Sequence, residues 1–233
     1  MAIKHLDRLD SLHLKATGVY EPFWTDLFKR LFKPGQTFVD VGAHIGYYTT
    51  MAAEAGAGEI HAFEPDPDNF QLLVKNCYEA DCYRTHLYEM AASDRTGKAR
   101  LYSGAGNTGD NRLYETEGRE GIEVDVTRLD DVKELADRCV DFIKIDAQGE
   151  EPRILAGARE LLTRSASVVG IIEYVPKLII LGGSSPQAFF AELDALGFSV
   201  YALVGDKLLR GNRKELLQKY RKKNLFIRRE GAA

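Results

Sequence analysis

Short apolar segments alternate with amphipathic ones along most of the chain. Thr37–Val41, Glu59–Glu64 and Asp141–Asp146 are rich in β-branched, aromatic and other apolar residues, as buried strands are. Between such segments, apolar residues recur every three or four positions, which is the spacing on the buried face of a helix. Because several strands are apolar on both faces, this alternation predicts an α/β fold with a mainly parallel sheet covered by helices on both sides.

The same pattern indicates how the chain is divided. Apolar spacing in residues 3–16 and 23–32 predicts two helices, so residues 1–35 are expected to form an N-terminal helical segment that packs on the core. Residues 36–233 then form the main domain, and the whole chain is expected to be a single domain. Residues 95–121 are rich in Gly, Asn and Tyr, which predicts an inserted β-hairpin that closes over the strand ends as a lid.

Composition places the chain among ordinary globular proteins. Its 233 residues are 45% hydrophobic and 28% charged, and no apolar run approaches the roughly 20 residues that a membrane helix needs. The first residues lack the apolar core of a signal peptide, so a cytoplasmic location is expected. The three cysteines form no C-x-x-C pair and are expected to be buried thiols rather than disulfides or zinc ligands.

Candidate chemistry begins at the glycine-containing turn after the first predicted strand. Gly42-Ala-His-Ile-Gly46 joins this strand to a helix, an arrangement that directs backbone N–H groups and a helix N-terminus towards a ligand. Glu64 ends the next strand, 24 residues after Asp40, where an acidic side chain can accept both hydroxyl protons of a ribose. The alternative is that the two glycines serve only close packing of a strand against a helix.

The glycine spacing favours one nucleotide-type cofactor over another. A dinucleotide requires G-x-G-x-x-G, whereas Gly42 to Gly46 is G-x-x-x-G with His44 in the middle, where a side chain crowds a pyrophosphate. The smaller methionine half of S-adenosyl-L-methionine (SAM) fits such a turn, so SAM is favoured over NAD. The Ser93–Asp94 turn and Asp146 also follow predicted strands, so these polar features are expected to share the carboxyl-end rim of one sheet.

The motifs in combination resemble the FkbM family of SAM-dependent methyltransferases. The resemblance covers about residues 20–203 and is carried by the segments Val39–Thr49, Phe63–Pro65, Ala92–Asp94, Leu129–Asp130 and Ile143–Glu151. It implies a Rossmann-like class I methyltransferase fold with a mainly parallel seven-stranded sheet. It also implies methyl transfer to a hydroxyl of a sugar, glycan or other small natural product, with S-adenosyl-L-homocysteine as the second product.

The resemblance further implies which residues contact the cofactor. The methionine half is assigned to Asp40, Gly42, Ala43, His44 and Gly46. The ribose is assigned to Glu64, the adenine side to Ala92, Ser93 and Asp94, and the region beside the methyl group to Asp146.

A general base is the one catalytic group that methyl transfer from a sulfonium requires, besides alignment of the acceptor oxygen. Asp146 is the first candidate, and Glu173 and His44 are the others. Gln148 stands where the family often has Glu, and His44 where it often has Asn, so the base is not fixed by the motif. Asp146 and Glu173 could instead hold Mg²⁺, a minority hypothesis, and no other metal site is predicted.

Two rival functions remain at this point. The first is N-methylation or nucleic-acid methylation, although Asp146-Ala-Gln-Gly149 is not the Asn/Asp-Pro-Pro-Tyr type of motif used on amino groups. The second is a SAM-binding module without catalysis, which the change at Gln148 keeps open.

The charge distribution bears on the acceptor. Residues 207–229 contain ten Lys or Arg and one acid, a local charge of +9 that leaves −13 on the rest of a chain with net charge −4. The default interpretation is a solvated helix face, and the alternative is attraction to a phosphorylated acceptor. Nucleic acid is not expected as a partner, because no RNA-binding motif accompanies these residues.

Overall fold

The computed structural model describes residues 18–104, 109–115, 117–205, 207–219 and 223–229. The helix expected over residues 3–16 and the middle of the predicted lid lie outside these ranges. The Cα positions group the chain into two compact units. The first unit comprises Met1–Ala91 and Ala99–Asp125, and the second comprises Ala92–Lys98 and Val126–Ala233. The single-domain organisation expected from the sequence stays a prediction.

The described residues of the first unit form three helices and three strands outside the insertion. In chain order they are α1 (Pro22–Leu31), β1 (Thr37–Val41), α2 (Tyr47–Glu54), β2 (Glu59–Phe63), α3 (Pro67–Glu79) and β3 (Thr85–Tyr88). The strands are parallel and lie in the order β1-β2-β3, with Thr37 opposite Glu59 and His61 opposite His86. Phe28 of α1 packs edge-on against Phe38 of β1, which fixes the helix on the strand.

Helix α3 is capped at its N-terminus by Asp66. The Asp66 carboxylate accepts the backbone N–H groups of Asp68 (3.1 Å) and Asn69 (3.0 Å). Pro67 suits the first helical position, because proline needs no N–H partner there and its φ angle suits a helix.

An inserted hairpin follows the third strand, as predicted. It consists of a short strand and two longer ones, β4 (Ala91–Ala92), β5 (Gly97–Tyr102) and β6 (Gly121–Thr127), in a separate sheet of order β4-β6-β5. Asn111, in the connection between β5 and β6, donates its amide to Asp66 at 3.0 Å and accepts the N–H of Gly104. The described part of the insertion is therefore hydrogen-bonded to the N-cap of α3 within the first unit.

In the second unit, the residues that the structure describes form five strands and five α-helices, besides two short 3-10 helices, Leu129–Asp131 and Lys133–Leu135. The strands and α-helices are β7 (Phe142–Ile145), α4 (Glu151–Ala156), α5 (Arg159–Arg164), β8 (Val169–Tyr174), α6 (Pro176–Leu181), α7 (Pro186–Ala195), β9 (Phe198–Val204), β10 (Lys207–Arg210), α8 (Arg213–Lys219) and β11 (Lys223–Arg229). The strand order is β7-β8-β11-β9-β10, in which β7 and β8 are parallel and the other pairs are antiparallel. Of the strands described in the second unit, β10 is one that the sequence did not predict.

The basic C-terminal segment is partly engaged in the fold of the second unit. Arg213 forms an ion pair with Asp194 and lies 5.0 Å from the ring centroid of Phe190. Arg229 donates to the carbonyl oxygens of Leu196 and Leu162. These contacts favour a structural role for part of the positive charge. Within the described residues, no helix has the length and apolar character that crossing a membrane requires.

Candidate active site

Asp40 lies near the end of β1, where it is almost fully buried. Its Oδ2 atom accepts a hydrogen bond of 2.7 Å from the hydroxyl of Thr49, in the first turn of α2. This contact joins the strand to the helix on either side of the glycine turn. Asp40 therefore holds the turn in place, whichever ligand the turn binds.

The glycine turn is attached to the end of β2 by its own backbone. The N–H groups of Gly42 and Ala43 both donate to the carbonyl oxygen of Phe63, at 3.0 and 2.9 Å. Three residues of the turn have positive φ angles: Gly42 (75°), His44 (53°) and Gly46 (87°). Glycine adopts positive φ angles readily, whereas histidine rarely does, so the backbone conformation of His44 costs conformational free energy.

Gly46 serves packing as well as backbone shape. A Cβ atom there would lie 2.6 Å from Cδ1 of Leu73 on α3, so the glycine lets this helix approach the turn. On the same helix, Asn76 donates its amide to the carbonyl oxygen of Ile45 at 2.7 Å. This contact supports the packing role that the sequence left open for Gly46, and the assignment of Gly46 to the cofactor stays a prediction.

Replacing Gly46 by alanine should lower the free energy of unfolding by about 2–4 kcal/mol. Overpacking in a filled core costs about 1–3 kcal/mol and a left-handed alanine about 1–2 kcal/mol. Gly35→Ala is the matched control, because Gly35 has a similar φ angle of 83° but open space around its Cβ position. Urea unfolding of both variants separates the steric contribution from the backbone contribution, and equal losses would contradict the packing role of Gly46.

Glu64 follows β2 directly, and both of its carboxylate oxygens accept hydrogen bonds from the surrounding backbone. Oε2 accepts the N–H of His44 at 2.9 Å, and Oε1 accepts the N–H of Asp66 at 3.0 Å. The side chain amide of Asn69 lies 3.4 Å from Oε1. Burial raises the pKa of Glu64 to about 7, although the two backbone N–H groups oppose the rise. The structure thus connects the turn to the predicted ribose-binding carboxylate.

In the second unit, Asp146 and Glu173 are brought together by the side chain of Gln148. Its Nε2 atom donates to Oδ1 of Asp146 at 3.1 Å and to Oε2 of Glu173 at 3.2 Å. The other oxygen of Asp146 accepts a hydrogen bond of 3.1 Å from Nζ of Lys144, which is itself buried. Because both neighbours of the amide are acceptors, this orientation of Gln148 is the one that the network favours.

The turn after β7 holds Gln148 in an unusual backbone conformation. Its φ angle is 51°, and the carboxylate of Glu151 accepts the N–H groups of Ala147 and Gly149 around it. Burial raises the pKa of Glu151 to about 7. The hydrogen bonds to Glu151 hold the strained backbone of Gln148 in one conformation. In this conformation the side-chain amide of Gln148 lies between the carboxylates of Asp146 and Glu173.

Mg²⁺ does not fit between Asp146 and Glu173. A cation shared by the two carboxylates would take the position between them that the amide nitrogen of Gln148 occupies. An N–H donor neutralises part of the carboxylate repulsion that a metal would otherwise relieve. The residues of this cluster therefore form a hydrogen-bonded group rather than a set of metal ligands.

The predicted adenine-side segment, Ala92 to Asp94, also lies in the second unit. Ser93 is buried, and its hydroxyl lies 3.2 Å from Oε2 of Glu150 and 3.3 Å from Oδ1 of Asp94. Burial raises the pKa of Glu150, and the guanidinium of Arg153 at 3.1 Å opposes this rise. Ala92 is buried, whereas the carboxylate of Asp94 reaches solvent.

Three polar side chains of these clusters were given no role from the sequence. Lys144 lies two residues before Asp146, so both point to the same side of the strand, a signal available in the sequence. Glu150 and Asn76 are brought to their partners only by the packing of separate elements. The expectation that all the predicted residues line one rim stays a prediction, and so does the assignment of each residue to a part of the cofactor.

The comparison with known families decides which chemistry these residues are associated with. The sequence profile of the methyltransferase FkbM domain matches residues 40–200, which include the glycine turn, Glu64, Asp146 and Glu173. The chain belongs to the FkbM methyltransferase family. The resemblance drawn from the motifs is thereby confirmed.

Two curated FkbM relatives share 29% of aligned residues with the chain. One is the 2-O-methyltransferase NoeI of Sinorhizobium fredii (strain NBRC 101917 / NGR234), aligned over 58% of this chain and 62% of that protein. The other is the 31-O-demethyl-FK506 methyltransferase FkbM of Streptomyces tacrolimicus, aligned over 55% of this chain and 61% of that protein. The chain spans less than two thirds of the length of these relatives.

The fold agrees with the family. The crystal structure of an FkbM methyltransferase from Methylobacillus flagellatus KT superposes with a TM-score of 0.53 at 16% sequence identity, covering 97% of this chain and 56% of that one. The Rossmann-like class I methyltransferase fold predicted from the sequence is confirmed.

Proposed function

We propose that the chain is a SAM-dependent O-methyltransferase that acts on a hydroxyl of a small molecule, a sugar or glycan, or another natural product. The observation that carries the proposal is the match of residues 40–200 to the FkbM domain, together with two curated relatives whose names specify O-methylation. The products are the methyl ether and S-adenosyl-L-homocysteine.

The first unit supplies the groups proposed to hold the cofactor. The turn from Gly42 to Gly46 is fixed at Phe63 and Glu64, so it keeps its shape without a ligand. Glu64 is the proposed acceptor for the two ribose hydroxyls, since each carboxylate oxygen can accept more than one hydrogen bond. SAM carries an activated methyl group, and its binding by Asp40, Gly42, Ala43, His44 and Gly46 is the family-based assignment.

The second unit supplies the groups proposed to act on the acceptor. Asp146 would accept the proton of the acceptor hydroxyl as its oxygen forms the new bond to carbon and the carbon–sulfur bond breaks. Lys144 and Gln148 hold the two oxygens of Asp146, which fixes the carboxylate in one orientation. Glu173 is proposed to position Gln148 rather than to take the proton, because it is almost fully buried.

The neutral amide at position 148 is compatible with this mechanism. A glutamate there would place three carboxyl groups within hydrogen-bonding distance of one another, and such groups cannot all be ionised. Gln148 instead links two carboxylates through one NH2 group. The change from the family pattern therefore alters how the carboxylates are paired without removing Asp146.

Methyl transfer from SAM labelled in its methyl group tests the proposed function. The panel contains sugars, glycans and hydroxylated natural products, with amines and RNA as competitors. We expect label on an oxygen of one of the first three classes. Label on nitrogen or RNA would support the rival methylation chemistry. SAM binding by calorimetry without transfer to any member of the panel would support a non-catalytic module.

Phosphorylation of the acceptor and a cytoplasmic location of this chain are also proposals. A phosphorylated acceptor is the alternative that the basic C-terminal segment keeps open, although Arg213 and Arg229 already contact protein groups. The cytoplasmic location rests on the sequence pattern alone.

A further inference from the structure

A cluster of Glu59, His61 and His86 lies in the first unit, away from the residues assigned to methyl transfer. One ligand atom from each residue can be chosen so that all three lie within 4.8 Å of one another. We propose that these three side chains form a binding site for one divalent transition-metal ion, with Zn²⁺ as the best match.

The strand register explains why the three side chains meet. Glu59 and His61 are two residues apart on β2 and therefore point to the same side of the strand. His86 on β3 is the direct neighbour of His61 in the parallel pair. The side chains on the opposite face, Ala62 and Leu87, pack in an apolar cluster with α3. The cluster is thus built into two neighbouring strands.

The distances between the ligand atoms suit a single cation. Oε1 of Glu59 lies 3.0 Å from Nε2 of His86 and 3.5 Å from Nε2 of His61. Ligands that each bind a tetrahedral zinc ion at about 2.1 Å are roughly 3.4 Å apart. The imidazole rings are stacked with centroids 4.8 Å apart, so binding of both rings to one ion requires the partly exposed His86 ring to rotate about its Cβ–Cγ bond.

The surroundings also resemble those of a metal site. Nδ1 of His61 lies 3.1 Å from the hydroxyl of Tyr88, a contact that leaves Nε2 to face Glu59. Metal-binding histidines usually have such a partner on the second ring nitrogen, which fixes the tautomer and the ring orientation. Two imidazoles and one carboxylate are borderline ligands that suit Zn²⁺, Co²⁺ or Ni²⁺ better than Mg²⁺ or Ca²⁺. The partly exposed side of His86 leaves room for water as a further ligand.

The site is separate from the proposed cofactor residues and does not depend on the proposed function. Glu59 is the first residue of β2, and Glu64 follows its last residue, so they are roughly 16 Å apart along an extended chain. A metal bound at Glu59 would tie β3 to β2 rather than touch the acceptor. Its expected effect is a more stable fold.

Zinc titration of the tag-free, EDTA-stripped and dialysed chain tests the proposal. Calorimetry should show one site per chain. His86→Ala should weaken Zn²⁺ binding at least about 100-fold, since it removes a ligand. Tyr88→Phe should weaken it about tenfold, and Glu89→Gln, an acid-to-amide change on the exposed residue just after β3, should leave it unchanged. Co²⁺ should give visible d–d absorption without a thiolate charge-transfer band.

Thermal melting supplies the second measurement. Added Zn²⁺ should raise Tm in the wild-type chain and in Glu89→Gln but not in His86→Ala, whose ring is partly exposed and whose fold should survive. Equal zinc binding by wild type and His86→Ala, or a thiolate band with Co²⁺, would overturn the proposal. Absence of saturable zinc binding would also overturn the proposal, and Glu59 and His86 would then be an ordinary hydrogen-bonded pair.

Discussion

Replacing Asp146 by asparagine is expected to lower kcat about 10²–10⁴-fold, the range that a positioned general base contributes. The substitution keeps the size of the side chain and its hydrogen bond to one neighbour, but asparagine cannot accept the acceptor proton. SAM affinity should change by less than about threefold, because in this proposal the methionine, ribose and adenine parts of the cofactor are assigned to other residues. The measurement is single-turnover transfer of labelled methyl to the best acceptor from the panel.

The environment of Asp146 requires a stability control. Lys144 is buried and forms an ion pair of 3.1 Å with Asp146, so the asparagine variant weakens a buried charge interaction and lowers stability. Asp137→Asn, the same chemical change at an exposed position of the second unit, should leave kcat unchanged. Calorimetric SAM binding separates loss of chemistry from loss of fold. Full turnover by Asp146→Asn would remove Asp146 as the base and leave Glu173 and His44.

Glu173 and Gln148 give a second check on the same cluster. Glu173→Gln should reduce kcat less than Asp146→Asn does, since Glu173 acts through the amide of Gln148. Gln148→Glu, the residue common in the family, places a third carboxyl group beside two others and should shift the pH–rate profile to higher pH. A structural role alone would lower stability without moving this profile. The two variants therefore distinguish positioning of the base from simple packing.

The parts of the fold and site that were predicted correctly depend on local sequence signals. The 13 consecutive residues from Thr37 to Thr49 predict the strand, the glycine turn and the start of the helix. Glu64 likewise follows a strand with a clear apolar pattern. The parallel arrangement follows from the alternation of strands and helices, because parallel neighbours need a crossover. Such signals require no knowledge of which strands are neighbours.

The parts that were missed depend on contacts between distant segments. His61 and His86 are 25 residues apart with no motif between them, and only the β2–β3 register makes them neighbours. The bridging role of Gln148 depends on Glu173, which is delivered by the next strand of the second unit. The sequence also does not show that Leu73 is the side chain that packs against Gly46. In each case the missing information is tertiary packing.

The affinity for SAM is expected to depend on pH through Glu64. The ribose hydroxyls donate hydrogen bonds, so the ionised carboxylate binds them and the protonated one binds them poorly. Burial raises the pKa of Glu64 to about 7. If only the ionised form binds, affinity at pH 6 should be about tenfold weaker than at pH 8. Calorimetric titration with SAM at these two pH values measures the ratio.

Glu64→Gln is the control for this pH dependence. Glutamine keeps an oxygen that can accept the N–H of His44 or Asp66 but does not titrate, so its affinity ratio reports only the ionisation of SAM itself and of other groups. We expect the variant to bind SAM about 10–100-fold more weakly at pH 8, the loss of hydrogen bonds to a charged group. An equal pH ratio in both proteins would contradict ribose binding by Glu64.

The stability of the ligand-free chain should show the opposite dependence on pH. The pKa of Glu64 is about 7 in the folded chain and near its ordinary 4.5 in the unfolded one, so the folded chain binds the extra proton between these values. Its contribution to stability is complete below about pH 4.5 and is lost as the pH rises through about 7. Urea unfolding of wild type should therefore give a lower midpoint at pH 8 than at pH 5.5, with a smaller difference in Glu64→Gln. Glu151, whose folded-state pKa is also raised to about 7, and Glu150, whose pKa burial also raises, contribute to the part that remains in the variant. The buried carboxylate of Glu64 would then stabilise the fold when it is protonated and bind the cofactor when it is ionised. SAM affinity should rise with pH while the urea midpoint falls. If Glu64→Gln reduces both pH trends, both are assigned to Glu64.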